Sequence, residues 1–183
     1  MLCEVISAGF GGQGILFLGD ALARAGLREG KFVTYMPTYG VAMRGGTANC
    51  VVHISDEEIG CPLLDHPHVG VILNEASLLK FQPAVRKGGL IIANSSMIDK
   101  TVLTRNGDVK VIWVPATELA REVAGTERST NMIMLGAFLG AQPVVAIDTI
   151  EAILRENSGG SKKALLEKNF AALRAGKECA AGA

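Results

Sequence analysis

A glycine-rich segment near the start of the sequence has the composition of an anion-binding turn. It reads SAGFGGQGIL over residues 7–16, and Gly9, Gly11 and Gly14 fit the pattern G-x-G-x-x-G. The pattern follows a predicted strand and precedes a predicted helix, so the backbone N–H groups of the turn would face an anion at the helix N-terminus. Gln13 would add an amide donor and acceptor in the first helical turn. The alternative is a turn that only lets strand and helix approach each other closely.

A dinucleotide such as NAD is a poor match for this turn. The dinucleotide fingerprint requires an Asp or Glu at the end of the second strand, where it binds the ribose hydroxyls. Here that strand ends in the residues Met36-Pro37-Thr38-Tyr39, with no acid. The sequence therefore favours an anionic ligand of another kind.

A second glycine-rich loop could provide a cation for the same ligand. It reads PTYGVAMRGGTANC over residues 37–50, and Arg44 is the only charged residue between Lys31 and Asp56. A guanidinium beside Gly45 and Gly46 could approach a phosphate or carboxylate unobstructed. If the first two strands are parallel, both loops face one crevice, where open α/β sheets bind ligands. The alternative is a solvated loop arginine.

The remaining cysteines, histidines and acids do not form a recognisable metal or cluster site. Cys3, Cys50, Cys61 and Cys179 are widely spaced, and we interpret them as reduced thiols. The spacing of Asp65, His66 and His68 matches no common zinc site. The sequence also lacks the cluster-binding run C-x₂-C-x₂-C-x₃-C-P and a G-D-G diphosphate motif. We therefore expect no metal, iron–sulfur cluster or thiamine diphosphate on this chain alone.

Strand-like and helix-like segments alternate along the chain, which favours an α/β fold. We predict a three-layer α/β/α sandwich with a largely parallel or mixed central sheet, in a single domain over residues 1–183 whose tail, 180–183, is frayed. Helix ends are predicted at Gly26 and at Gly88-Gly89, a helix cap at Asn74, and a hairpin turn at Asn106-Gly107. The predicted strands are 3–8, 32–36, 47–54, 69–73, 90–93 and 109–114, and the main predicted helices are 15–25, a segment from residue 75, 116–124, 131–139, 147–156 and 162–174.

The composition predicts a cytoplasmic protein that binds neither nucleic acid nor membranes. Lys and Arg total 18, as do Asp and Glu, so no net charge attracts a polyanion. The most apolar run is shorter than the ~20 residues of a spanning helix. Charged residues are only 20% of the chain and the mean hydropathy is +0.30. Because this composition implies exposed apolar surface, we expect the isolated chain to self-associate.

Several segments together resemble the gamma subunit of 2-oxoacid:ferredoxin oxidoreductases. They are GFGGQGIL, PTYGVAMRGGTANC followed by VVHISDEEIGCP, and NMIMLGA, and the resemblance extends over about the whole chain. The form RGGTANC with a following S-D-x-x-I is more similar to the 2-oxoglutarate or branched 2-oxoacid members than to the pyruvate members. Family members often have a proline and an acid after the Tyr-Gly pair, and residues 39–43 of this chain lack both.

The resemblance implies a subunit that is inactive by itself. The family's reaction is oxidative decarboxylation of a 2-oxoacid with coenzyme A, giving acyl-CoA, carbon dioxide and reduced ferredoxin. Thiamine diphosphate, magnesium and 4Fe-4S clusters are then expected on alpha, beta and ferredoxin-like delta partners, and this chain would form part of the active-site wall and bind coenzyme A. The alternative is a free-standing nucleotide- or small-anion-binding α/β domain. The residues assigned to the binding surface are Gly11, Gly12, Gln13, Gly14, Tyr39, Gly40, Arg44, Gly45 and Gly46.

Overall fold

The computed structural model of the chain describes residues 1–39, 46–104, 107–157 and 163–182. The strands are β1 (Leu2–Phe10), β2 (Phe32–Tyr39), β3 (Thr47–Ser55), β4 (Val69–Ile72), β5 (Leu90–Asn94) and β6 (Lys110–Val114). The helices are α1 (Ile15–Arg28), α2 (Glu75–Phe81), α3 (Ala116–Ala124), α4 (Thr130–Ala141), α5 (Ile147–Asn157) and α6 (Lys163–Ala181), with short 3-10 turns at Lys100–Val102 and Glu127–Ser129.

The strands form one mixed sheet of six strands in the order β2-β3-β1-β4-β5-β6. Strands β1, β4, β5 and β6 run parallel, whereas β3 is antiparallel to both of its neighbours, β1 and β2. Strands β1 and β2 therefore point the same way, as the single-crevice interpretation requires. The predicted α/β class with a mixed sheet is confirmed, and β2 lies at one edge of the sheet.

One face of the sheet is covered by α1 and α3 to α6, which form the main core with it. Helix α4 lies inside this layer, and its residues from Thr130 to Leu139 are all buried. A helix that is apolar all round is typical of such an interior position. Helices α4 and α6 pack backbone against backbone, because a Cβ added at Gly136 or Gly176 would overlap a carbonyl of the other helix. The third layer of the predicted sandwich is much thinner.

That thinner layer, on the opposite face of β4 to β6, consists of α2, the first 3-10 turn and adjoining loops. Leu78 and Val85 pack there on Ile72 and Ile91 of the sheet. The part of this face formed by β1, β3 and β2 is less covered. The exposed large apolar residues of its strands are Leu2 (48% exposed), Phe32 (44%) and Met36 (39%). None of the described helices is long and apolar enough to cross a bilayer.

Several local predictions were wrong. Helix α1 continues through Gly26, whose missing Cβ leaves room for Val33, and Gly30 takes up the positive φ of +74° after the helix. Helix α2 ends at Phe81, well before Gly88. Strands β5 and β6 are parallel, so no hairpin joins them, and Asn106 lies outside the described residues.

Helix α6 continues into the segment 180–183 that was predicted to be frayed. Helix α6 extends to Ala181, and Ala180 is only 4% exposed. Because its side chain belongs to the main core, the end of the helix is held by packing.

Candidate functional site

The turn between β1 and α1 has the glycine geometry that its sequence suggested. Gly12 and Gly14 have φ angles of +101° and +75°, values that residues with a Cβ rarely adopt. Gly14 is also the N-cap of α1, and a Cβ there would overlap the amide of Asn131 at the start of α4. Glycine at position 14 is therefore required both by the backbone conformation and by the approach of a second helix.

Gln13 is turned inward, where it holds the turn. Its Oε1 accepts hydrogen bonds from the Phe10 N–H at 2.6 Å and from Asn74 Nδ2 at 3.0 Å. Asn74 caps α2 as predicted, by accepting from the Ser77 N–H at 2.9 Å. The oxygen of Gln13 is thus used within the fold, and only its Nε2 group has no hydrogen-bond partner among the described residues.

The turn presents backbone donors that the described part of the chain does not use. The N–H groups of Gly12 and Gly14 donate to no described residue, and α1 has no side-chain cap at its N-terminus. Unpaired N–H groups at a helix N-terminus, together with the positive end of the helix dipole, favour a bound anion.

The second glycine loop meets the first at the same edge of the sheet. The Gly11 N–H donates to the Gly46 carbonyl at 2.8 Å, where the loop re-enters β3. Tyr39 ends β2 and pairs with Ala48, next to the pair formed by Phe10 and Thr47. Gly11, Gly12, Gln13, Gly14, Gly46 and the backbone of Tyr39 therefore lie at the same edge of the sheet. Gly40, Arg44 and Gly45 lie outside the described residues.

Two asparagine side chains, at the end of β5 and at the start of α4, form hydrogen bonds between the elements at this edge of the sheet. Asn94, at the end of β5, donates from Nδ2 to the Leu73 carbonyl at 3.3 Å and to Thr117 Oγ1 at 3.1 Å, and its Oδ1 accepts from the Ala116 N–H at 3.1 Å. Asn131 Nδ2 donates to the Gly14 carbonyl at 3.2 Å. Sequence reasoning did not identify these roles, because each depends on which elements become neighbours. The available signal was an asparagine at or just after the carboxyl ends of β4 and β5, Asn74 and Asn94.

A cavity of about 220 Å³ opens beside the glycine turn. Within the sheet, β2 and β3 lie on one side of β1, and β4 to β6 lie on its other side. The order in which the strands follow one another therefore reverses at β1. Ligands bind at such a point in open α/β sheets. The cavity is lined by Gly12, Gln13, Met97, Thr117, Glu127, Arg128 and Thr130. The sequence analysis missed Thr117 and Arg128, which α3 and the second 3-10 turn bring to this edge.

Two of the histidines and two of the cysteines have structural surroundings. His53 is 1% exposed, its Nδ1 lies 2.9 Å from Thr34 Oγ1, and burial lowers its pKa. His68 Nδ1 accepts from the Glu4 N–H at 3.0 Å. Burial raises the pKa of the Cys3 thiol to about 11 and that of Cys50 to about 12, so both stay protonated and unreactive. Among the described residues no group of His, Cys, Asp or Glu has a metal-binding arrangement.

Comparison with known proteins places the whole chain in one family. The family model described as pyruvate ferredoxin/flavodoxin oxidoreductase matches residues 4–179. Ketoisovalerate oxidoreductase subunit VorA of Methanothermobacter thermautotrophicus is 41% identical over 94% of this chain, which spans about a third (35%) of the length of that relative. 2-Oxoglutarate synthase subunit KorC of the same organism is 32% identical over 96% of this chain and 93% of its own length.

A solved structure agrees with this placement. It is the 2-oxoglutarate:ferredoxin oxidoreductase from Magnetococcus marinus with 2-oxoglutarate, coenzyme A and succinyl-CoA bound. It is 25% identical with a TM-score of 0.91, and it covers 100% of this chain and 31% of that one. The same domain thus occurs as a separate subunit and as part of longer chains. From the family match and these identities, this chain belongs to the pyruvate ferredoxin/flavodoxin oxidoreductase family.

Proposed function

We propose that this chain is the gamma component of a multi-subunit 2-oxoacid:ferredoxin oxidoreductase and is inactive by itself. The KorC relative supports this, because it is a separate subunit of nearly the same extent. In the overall reaction the bond between C1 and C2 of the 2-oxoacid breaks and carbon dioxide leaves. The acyl group forms a thioester with coenzyme A, and a pair of electrons passes to ferredoxin.

The contribution of this chain is a wall of the active site that binds coenzyme A. The observation that supports this role is the hydrogen bond from the Gly11 N–H to the Gly46 carbonyl, which holds the residue before β3 against the first glycine turn. The N–H groups of Gly12 and Gly14, which donate to no described residue, suit a phosphate of coenzyme A. We assign Tyr39, Gly40, Arg44 and Gly45 to the same surface, with the Arg44 guanidinium as its cation.

The redox and carbanion chemistry belongs to other chains in this proposal. Thiamine diphosphate with magnesium would be held by the alpha and beta subunits, and 4Fe-4S clusters would be held by partners such as a ferredoxin-like delta subunit. Ferredoxin is the proposed electron acceptor and the cytoplasm the proposed compartment. The 2-oxoacid is 2-oxoglutarate or a branched 2-oxoacid, since the similar proteins include subunits named for 2-oxoglutarate and for ketoisovalerate.

Affinity purification of the tagged chain from its source cells tests the subunit assignment. We expect thiamine-binding and iron–sulfur subunits to co-purify, with 2-oxoacid-dependent and coenzyme A-dependent ferredoxin reduction in the purified complex. A chain that purifies alone and binds nucleotides without these subunits would instead favour the free-standing binding domain.

The variant Arg44→Ala tests the coenzyme A assignment in the assembled enzyme. A charge-assisted contact is worth about 1.5–3 kcal/mol, so the KM for coenzyme A should rise roughly 10- to 150-fold while thiamine diphosphate binding stays unchanged. Arg24→Ala is the matched control, because Arg24 lies on α1 and pairs with Asp20. An unchanged KM together with lost assembly would make Arg44 an interface residue.

A further inference from the structure

The cavity beside the glycine turn has an arginine that the fold leaves free for a ligand. Arg128 lines the cavity, and its guanidinium makes no ion pair or hydrogen bond with any described residue. Its neighbour Glu127 also lines the cavity, but the carboxylate of Glu127 is bound by Arg121, whose Nε lies 2.8 Å from Oε1. Arg128 is therefore the charged residue of the cavity wall that no described residue pairs with.

The same cavity is lined by Thr117, a buried residue whose hydroxyl has a proton to donate. Thr117 lines the cavity and is only 7% exposed. Its Oγ1 accepts from Asn94 Nδ2 at 3.1 Å, and its own hydroxyl hydrogen has no acceptor among the described residues. A buried donor without an acceptor costs free energy unless a ligand or water completes it. A hydrogen-bond acceptor bound in the cavity would therefore satisfy the Thr117 hydroxyl.

The same cavity is also lined by a residue with an unused backbone donor. The Gly12 N–H is unused by the described residues, and Gly12 lies on the cavity. The Thr130 hydroxyl is already committed, since it donates to the Glu127 carbonyl at 2.7 Å. The cavity is thus lined by residues that carry a guanidinium, a hydroxyl proton and a backbone N–H. A group with several anionic oxygens could accept a hydrogen bond from each of them.

We infer that this cavity binds a phosphate group, with Arg128, Thr117 and the Gly12 N–H as the groups that bind it. The phosphate belongs to coenzyme A or to another phosphate ester, and the identification with coenzyme A rests on the proposed function. Arg128 would act from the β4 to β6 side of the glycine turn, where Met97 and Thr117 also line the cavity.

Titration of the full chain with inorganic pyrophosphate tests the site directly, with the backbone amide resonances of Gly12 and Thr117 as the readout. We expect both resonances to shift on binding. Arg128→Gln should raise the Kd roughly 10- to 150-fold, because a charge-assisted contact is lost. Thr117→Val should raise the Kd about tenfold. Thr117→Ser keeps the hydroxyl and should bind like the unchanged chain.

Arg24→Gln is the control, since it removes an exposed arginine on α1 without touching the cavity. Thermal unfolding of each variant confirms that the fold is intact, and Thr117→Ser keeps the hydroxyl test meaningful if Thr117→Val does not fold. The inference is overturned if pyrophosphate leaves the Gly12 and Thr117 resonances unmoved, or if Arg128→Gln binds it as tightly as Arg24→Gln does.

The KM for coenzyme A of the assembled Arg128→Gln enzyme separates this inference from the proposed function. A raised KM identifies the phosphate as that of coenzyme A. Pyrophosphate binding that depends on Arg128, with an unchanged KM, supports the phosphate site and assigns it to a different phosphate ester. In that case the inferred site stands, and the coenzyme A assignment to this side of the crevice fails.

Discussion

The side chain of Gln13 joins the glycine turn to the end of β4, because a single oxygen accepts from both Phe10 and Asn74. Gln13→Ala would leave both donors unpaired in a partly buried place. We expect a loss of about 1–3 kcal/mol in the free energy of unfolding. Chemical denaturation of the variant and the unchanged chain measures this loss. A variant as stable as the parent would show that the contact does not hold the turn.

Gln13→Glu separates the structural role from the electrostatic one. A carboxylate can accept the same hydrogen bonds, and its charge is favourable at the N-terminus of α1. The fold should therefore remain stable, while a pyrophosphate titration should show weaker binding, because the added negative charge repels an anion in the adjoining cavity. Equal pyrophosphate affinity in Gln13→Glu and the parent would place the anion elsewhere.

His53 makes the stability of the chain depend on pH. Its ring is buried, its Nε2 has no hydrogen-bond partner among the described residues, and its pKa lies below the ordinary value of 6.5. The unfolded chain then binds a proton more readily than the folded chain. Stability is therefore fully present above about pH 6.5 and falls as the pH drops below it.

Unfolding free energies at about pH 7.5 and about pH 5.5 measure this effect. His53→Asn, which retains an amide near Thr34, should reduce the loss of stability on acidification, whereas His66→Gln, at an exposed histidine, should not. An unchanged pH dependence in His53→Asn would assign the effect to another group, such as His68 beside Glu4.

At the scale of elements, the sequence predicted helix ends correctly where the residues that determine them are adjacent to the helix in sequence. Helix α3 has the predicted bounds, with Pro115 at its N-cap and Gly125 at φ +66° after it. Gly26 misled the prediction, since it serves contact with Val33 and leaves the helix intact. The direction of β6 relative to β5 was also misjudged, because the segment between them could equally form a tight turn or a crossover.

The contact of α4 with α6 provides the element-scale prediction. Gly136→Ala places a Cβ against the Leu173 carbonyl, a backbone atom that cannot rotate away. Overpacking costs about 1–3 kcal/mol, and the better helix propensity of alanine offsets at most about 1 kcal/mol. We therefore expect a lower denaturation midpoint. Gly60→Ala is the control, because a Cβ there meets no atom within 4 Å.

Unfolding of both variants under the same conditions decides the point. A midpoint for Gly136→Ala equal to that of Gly60→Ala would mean that the two helices can separate without cost. That outcome would contradict the close backbone packing in which Gly176 meets the Ile133 carbonyl from the other helix.

At the scale of the molecule, the candidate site was only partly predictable. Sequence spacing identified the glycine turn, because the residues that form it are consecutive. It could not identify Arg128 or Thr117, which come from segments more than a hundred residues away in sequence and reach the turn only when α3 and α4 pack on the sheet. The parallel direction of β1 and β2, on which the shared crevice depends, was a condition that only the sheet order could establish.

The uneven layers of the sandwich bear on how the chain behaves alone. The helices α1 and α3 to α6 cover one face, while the other face exposes Leu2, Phe32 and Met36 beyond β1. Large exposed apolar side chains on one face of a sheet favour association, and a net charge of zero gives little repulsion between copies. We therefore expect the isolated chain to self-associate through this face.

Light scattering of the purified chain tests that expectation. Phe32→Lys and Met36→Lys together should shift the protein toward monomers, because they place charges on the face that associates. Leu27→Lys is the control, since Leu27 is 61% exposed on α1, which covers the other side of the sheet. Under the proposed function, co-expression with thiamine-binding subunits should replace the self-associated form by a defined complex. A parent chain that is strictly monomeric would show that the exposed face is not adhesive, and a monomer that also ignores those subunits would contradict the subunit role.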